Sequence, residues 1–154
     1  MKEESLEIAD YLEEELVTFL DVNSRIEAVT ALVDLLEQQG KLKNRDAFLQ
    51  AILEREKIVS TGIGIGVAIP HAKMETYDDF FIAIGVQKTG GIEWEALDQL
   101  PVRIVFMIGG PANQQAEYLN ILSMITAAIK DEKKRKALLS APDAASVIAT
   151  LQKD

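Results

Sequence analysis

The stretch Val102–Ile108 (VRIVFMI), apolar except for one arginine and closed by Gly109–Gly110–Pro111, constrains the chain more than any other. A β-branched and aromatic run with almost no polar alternation reads as a strand covered on both faces. Its uninterrupted apolar part, Ile104–Ile108, is far too short for the ~20 residues of a spanning helix, so membrane insertion is not expected. Phe80–Gln87 (FFIAIGVQ) reads as a second buried strand and Leu16–Leu20 (LVTFL) as the first strand of the chain. Helical signals surround them. Ser24 and Glu27 have capping-box spacing, Ile26, Val29, Val33 and Leu36 recur at helical intervals, and Gly40 stands where a C′ residue would. Further helices are expected over Asp46–Lys57, along Leu119, Leu122, Ile125 and Ile129, and over Lys133–Leu139 and Asp143–Leu151. With no repeat or linker to divide it, the chain is expected to be one α/β domain over residues 1–154. The architecture that buries this pattern is a sandwich: a mixed sheet of about five strands with helices on both faces.

Composition removes whole classes of function. The 154 residues carry a net charge of −9, which repels phosphate backbones and argues against nucleic acid as a partner. Cysteine is absent, so no disulfide framework, thiol nucleophile or Cys-based metal site can form. The single histidine rules out a multi-histidine metal centre, and no metal or organic cofactor is expected. The first fifteen residues hold seven acids and one lysine, the opposite of a secretory leader, and a cytoplasmic location is expected. The acidic run Glu3–Glu15 reads as an exposed helix face.

Chemistry concentrates in Ser60–His71 (STGIGIGVAIPH), with glycines at 62, 64 and 66 and then Pro70–His71. Glycine at alternate positions implies close backbone approach or positive φ. Two nucleotide motifs fail here. No Gly-Lys-Ser/Thr ending is present, and Gly66 leads into β-branched residues and proline rather than a helix that could meet a pyrophosphate. The glycines fit equally a bulged strand or hairpin. Pro70 cannot continue a central strand, so a turn there is expected to present His71 at a sheet edge. An imidazole with an ordinary pKa of ~6.5 is neutral and nucleophilic at cellular pH without an activating base. Placed so, it could accept a phosphoryl group, or serve only as a structural side chain.

The stretch Ser60–Ala72 (STGIGIGVAIPHA) resembles the signature of enzyme IIA domains of the fructose–mannitol class in the bacterial phosphoenolpyruvate-dependent phosphotransferase system. Leu53–Lys57 (LEREK), Gly91–Trp94, Leu100–Ile108 and Tyr118–Ser123 extend the likeness over nearly the whole chain. With no attached IIB or IIC segment in the sequence, the likeness is greatest to the stand-alone nitrogen-regulatory branch. The resemblance implies an α/β sandwich, a phosphohistidine at His71 and an arginine, Arg55, that steadies the phosphoryl group. The glycine loop Gly62, Gly64 and Gly66 would bring backbone N–H groups to the phosphate. It further implies an HPr-like phosphocarrier as donor, with a IIB domain or a regulated target protein downstream. The family's second active-site histidine falls on Tyr118, which can donate a hydrogen bond but adds no charge. Ile65 stands where relatives often have a polar residue and is expected to make the surface beside His71 more apolar. Lys73 could help attract a phosphorylated carrier.

Three functions follow from this resemblance. The chain could be a phosphocarrier that relays the group or signals by its phosphorylation state. It could be a sugar-specific IIA component that passes the group to a IIB cysteine. It could also be a regulatory binding module with vestigial phosphorylation. All three use one site, a shallow His71 depression ringed by apolar side chains.

Overall fold

The structure, a computed structural model, describes residues 7–152. The central strands are β5 (Phe81–Gln87) and β6 (Ile104–Gly110), antiparallel and buried along their full lengths. β1 (Val17–Leu20) lies parallel to β5. Along the other edge of β6, β3 (Val67–Ala68) and β4 (His71–Lys73) lie end to end, both parallel to it. β2 (Gly62–Gly64) closes a short antiparallel hairpin on β3. The sheet is mixed and has six strands, one more than the pattern suggested. The extra one arises because the Val67–Lys73 run divides in two at Ile69–Pro70.

Period-two alternation in β5 and β6 sends successive side chains to opposite faces, and each face has its own helical cover. Phe81, Ala83, Val105 and Met107 pack under α1 (Arg25–Gln38) and α2 (Arg45–Ile58). Ile82, Ile84, Phe106 and Ile108 pack under α3 (Gln115–Lys130), α4 (Glu132–Ser140) and α5 (Ala144–Gln152). This two-faced sandwich is the expected fold class. The contacts are close: a Cβ at Gly109 would lie 2.4 Å from the Phe81 ring, and one at Gly110 would lie 2.2 Å from the Phe80 ring.

Helix ends follow local chemistry. Ser24 Oγ accepts the Glu27 N–H at 3.2 Å, while the Glu27 carboxylate reaches one residue further out, to the Asn23 N–H at 2.8 Å. Gly40, at φ +74°, ends α1, and the Lys41 N–H donates back to the Leu36 carbonyl, completing a Schellman closure.

Two expectations are corrected. The acidic N-terminal run does not form an α-helix in its described part. Ile8–Tyr11 and Glu14–Leu16 are separate 3-10 turns, and residues 3–6 of the run lie outside the described residues. Ile8, Tyr11 and Leu12 need to reach the α3–α5 core while Leu16 is buried at the head of β1, and one tight turn for each achieves this. At Pro70 the chain does not turn away. The Pro70 carbonyl accepts the Ile108 N–H at 3.0 Å, so the backbone stays on β6 and resumes as an edge strand.

Candidate functional site

His71 opens β4, and its place follows from Pro70. Proline removes one ladder N–H and separates β3 from β4, but its carbonyl keeps the register that sets His71 opposite Ile108. β4 pairs with β6 on one side, and on its other side α2 approaches to form a depression of about 620 Å3. Ala51, Arg55 and Ile58 of α2 line one wall and His71, Ala72 and Lys73 the other. The ring is half-buried, open to the depression on one side. Glu54 and Lys57 also line the depression, so its wall is a mixture of charged and apolar groups rather than the apolar ring expected. Ile58 stands 78% exposed at its edge.

The imidazole has a defined tautomer. Nδ1 lies 3.0 Å from the Ile69 carbonyl oxygen, which can only accept, so Nδ1 carries the hydrogen and Nε2 keeps its lone pair. Burial pushes the His71 pKa below its ordinary 6.5. The Ile69 carbonyl opposes this, the charges of Arg55 and Lys73 add to it, and Glu56 works against it. The neutral form therefore predominates at pH 7.

The three candidate side chains converge. The Tyr118 ring, on the first turns of α3, is tilted against the His71 ring at 5.4 Å and stacked on Phe80 at 6.2 Å. Tyr118 is buried, and burial, partly offset by Arg55, pushes its pKa up to about 12, so it stays neutral. No hydrogen bond of its hydroxyl occurs among the described residues, where no buried side-chain N or O lacks a partner; the hydroxyl therefore keeps solvent contact. Arg55, on the last turn of α2, donates from Nη1 to the Val59 carbonyl at 2.8 Å. This bond holds the guanidinium at the wall of the depression and leaves its other donors available. Lys73, two residues along the edge strand from His71, sits 4.0 Å above the Tyr118 ring and donates to Gln115 at 2.7 Å.

The glycines lie elsewhere. None of Gly62, Gly64 and Gly66 lines the depression. A Cβ on Gly62 would lie 2.8 Å from Ala96, and Gly64 and Gly66, at φ +99° and +80°, pass Asp98 and the Pro101 carbonyl. Their local need is a bulged hairpin laid on the 96–101 loop, one of the two forms open to them from the sequence. Ile65 is at the tip of that hairpin and lines a different groove, so it does not stand beside His71.

One residue of this neighbourhood escaped the sequence reading. Glu56 is buried. Its carboxylate accepts from the Thr61 N–H and hydroxyl and stands 3.6 Å from Arg25. The signal was present: Phe48, Ile52 and Glu56 recur every four residues, which puts Glu56 on the buried stripe of α2. Among the described residues there is no cluster of three or more potential metal ligands and no helix long and apolar enough to cross a membrane.

Comparison with known proteins agrees with this architecture. Residues 10–154 match the family model for the phosphoenolpyruvate-dependent sugar phosphotransferase system, EIIA 2. A fructose-specific EIIABC component of Bacillus subtilis is 39% identical over 120 residues, 78% of this chain, but the chain spans only 19% of that protein. A nitrogen regulatory protein of Bradyrhizobium diazoefficiens is 31% identical over 140 residues, 90% of this chain and 89% of the relative. The crystal structure of the nitrogen regulatory protein IIA-Ntr from Neisseria meningitidis superposes with a TM-score of 0.86 at 27% identity, covering 94% of this chain and 98% of that one. A family match over residues 10–154, relatives of both the sugar-specific and nitrogen-regulatory kinds, and a shared fold together lead to one assignment: the chain belongs to the EIIA 2 family of the phosphoenolpyruvate-dependent sugar phosphotransferase system.

Proposed function

We propose that this protein is a phosphocarrier in which His71 accepts a phosphoryl group from the phosphohistidine of an HPr-like protein. The observation that carries the reading is the Nδ1–H···O=C bond to Ile69, which leaves Nε2 as a free, neutral nucleophile at an accessible edge. Nε2 forms a new P–N bond in line with the P–N bond that breaks, and the electron pair of the broken bond returns to the carrier's ring nitrogen. The product ring carries phosphorus on Nε2 and hydrogen on Nδ1. The Ile69 carbonyl stabilises the positive charge that the ring takes up. Arg55 and Lys73 supply cations for the phosphoryl oxygens, and Tyr118 supplies a flat, neutral face that packs the ring. That Gly62, Gly64 and Gly66 do not line the depression supports charge stabilisation by these side chains rather than by loop N–H groups.

Incubation with phosphoenolpyruvate, enzyme I and the HPr-like carrier tests this. An acid-labile phosphoryl label is expected on the wild type and not on His71→Ala; a label that survives His71→Ala rejects the mechanism.

Downstream, the group passes to a IIB cysteine or its presence signals to a regulated target. The likeness to nitrogen regulatory proteins over nine-tenths of this chain favours signalling. In that reading the phosphoryl group weakens target contact through repulsion and desolvation at the rim around Ile58. Partner sets captured by wild type, His71→Glu and His71→Ala are expected to differ; identical sets for all three oppose a phosphorylation switch.

A further inference from the structure

A second groove, sharing no lining residue with the His71 depression, runs between the tip of the β2–β3 hairpin and α4. Its volume is about 430 Å3, and its floor and rim are apolar, formed by Ile65, Leu100, Pro101 and Leu139. Two arginines flank it. Arg103 is held by the carbonyls of Gln87 at 3.0 Å and Lys88 at 2.9 Å, and Arg135 by the Ile129 carbonyl. These bonds restrain each guanidinium without consuming all five of its donors. Arg135 belongs to the run Lys133–Lys136, four consecutive cations in a chain of net charge −9. Lys136 of that run pairs with Glu132 at 3.6 Å, and the charged groups that line the groove are the two arginines. Asp98, which bonds the backbone of two of the groove's lining residues, accepts from the Ile65 N–H at 2.9 Å and the Leu100 N–H at 3.0 Å.

Backbone strain points to the same place. Ile65 is β-branched yet sits at φ +54°, between two glycines that adopt positive φ freely, and Gln99 at φ +64° is also left-handed. Glycine or asparagine would satisfy the hairpin tip with less strain. Isoleucine there is 43% exposed and Leu100 is 53% exposed, so the strained tip holds apolar surface outward instead of burying it. Within the isolated chain that arrangement gains little.

We propose that this groove is a docking site for an acidic segment of a partner protein, with leucine-type side chains on Ile65, Leu100 and Leu139 and carboxylates on Arg103 and Arg135. Charge complementarity selects the partner's acids, and the preformed apolar floor supplies contact area. Occupancy of this site does not require His71.

The test is an amide-resolved NMR titration of the full chain with a blocked heptapeptide of alternating glutamate and leucine character. Two control peptides carry lysine for glutamate and serine for leucine. Saturable shifts are expected at Ile65, Leu100, Arg103 and Leu139 with the acidic apolar peptide only. They should persist in His71→Ala and weaken about tenfold or more in Arg135→Gln and in Ile65→Asn. Because asparagine tolerates the left-handed region, Ile65→Asn is expected to keep the thermal midpoint of the wild type while losing binding. Absence of binding, equal binding of the lysine peptide, shifts confined to the His71 depression, or unchanged affinity in Ile65→Asn would each overturn the proposal.

Discussion

At His71 two demands meet: the ring must be accessible to a macromolecule and must stay unprotonated. Partial burial and the nearby charges of Arg55 and Lys73 hold its pKa below 6.5, so the neutral form survives to lower pH than for a free histidine. Only that form has the Nε2 lone pair. The decline in phosphoryl acceptance on acidification should therefore be centred below pH 6.5; a decline centred at 6.5 or above would contradict the sign of the shift. Tyr118 contributes no charge, with a pKa of about 12. Replacement by phenylalanine keeps the stacked ring and should lower acceptance by less than about tenfold, against complete loss in His71→Ala. Glu56 works through structure, because its carboxylate joins the end of α2 to Thr61 and Arg25. Glu56→Ala takes the acceptor from the Thr61 N–H and hydroxyl and the counter-charge from Arg25, and should cost about 2–4 kcal/mol in urea unfolding. The site was legible in part. His71 stands out locally, after a glycine stretch and Pro70, and Arg55 entered only through the family resemblance, whereas the use of Gly62, Gly64 and Gly66 depends on the 96–101 loop, some 30 residues distant, which no local pattern reveals.

Elements formed where local chemistry and burial agreed. The run Ile26–Leu36, with Ser24 before it and Gly40 after it, became α1 with both caps in place. β5 and β6 appeared within a residue or two of Phe80–Gln87 and Val102–Ile108, since fully covered strands leave continuous apolar runs. The N-terminal segment did not follow its composition. Acidic residues suit a solvated helix, and Ile8, Tyr11, Leu12 and Leu16 even keep a helical spacing, but the first three pack in the core under α3–α5 while Leu16 packs in the core on the opposite face of the sheet, which one helical stripe cannot serve. The division at Pro70 was legible as a break, although its direction depended on the Ile108 N–H waiting across the ladder. Gly110 links these strands to the site. An added methyl would lie 2.2 Å from Phe80, the ring on which Tyr118 stacks. Gly110→Ala should cost about 1–3 kcal/mol on thermal unfolding and also slow acceptance at His71; wild-type stability would show the strand contact to be looser than described.

For the whole molecule, the two-faced sheet has a functional consequence. Covering both sides with helices leaves β4 at an edge, and an edge is where one side chain can be both backed by a packed core and reached by another protein. Net charge of −9 opposes a phosphorylated, anionic donor at long range, while Arg55, Lys57 and Lys73 reverse the sign at the depression itself. Removing Arg55 as Arg55→Ala should lower the acceptance rate and shrink its dependence on ionic strength between about 0.05 and 0.5 M; an unchanged salt profile would place the guanidinium outside the encounter. The most direct measurement uses the chain's single histidine, whose two ring nitrogens give an unambiguous spectrum. After 15N-histidine labelling and phosphorylation by phosphoenolpyruvate, enzyme I and the carrier, phosphorus–nitrogen coupling should appear on Nε2 while Nδ1 keeps its hydrogen. Coupling on Nδ1, or an imidazole that stays unmodified, would contradict the account.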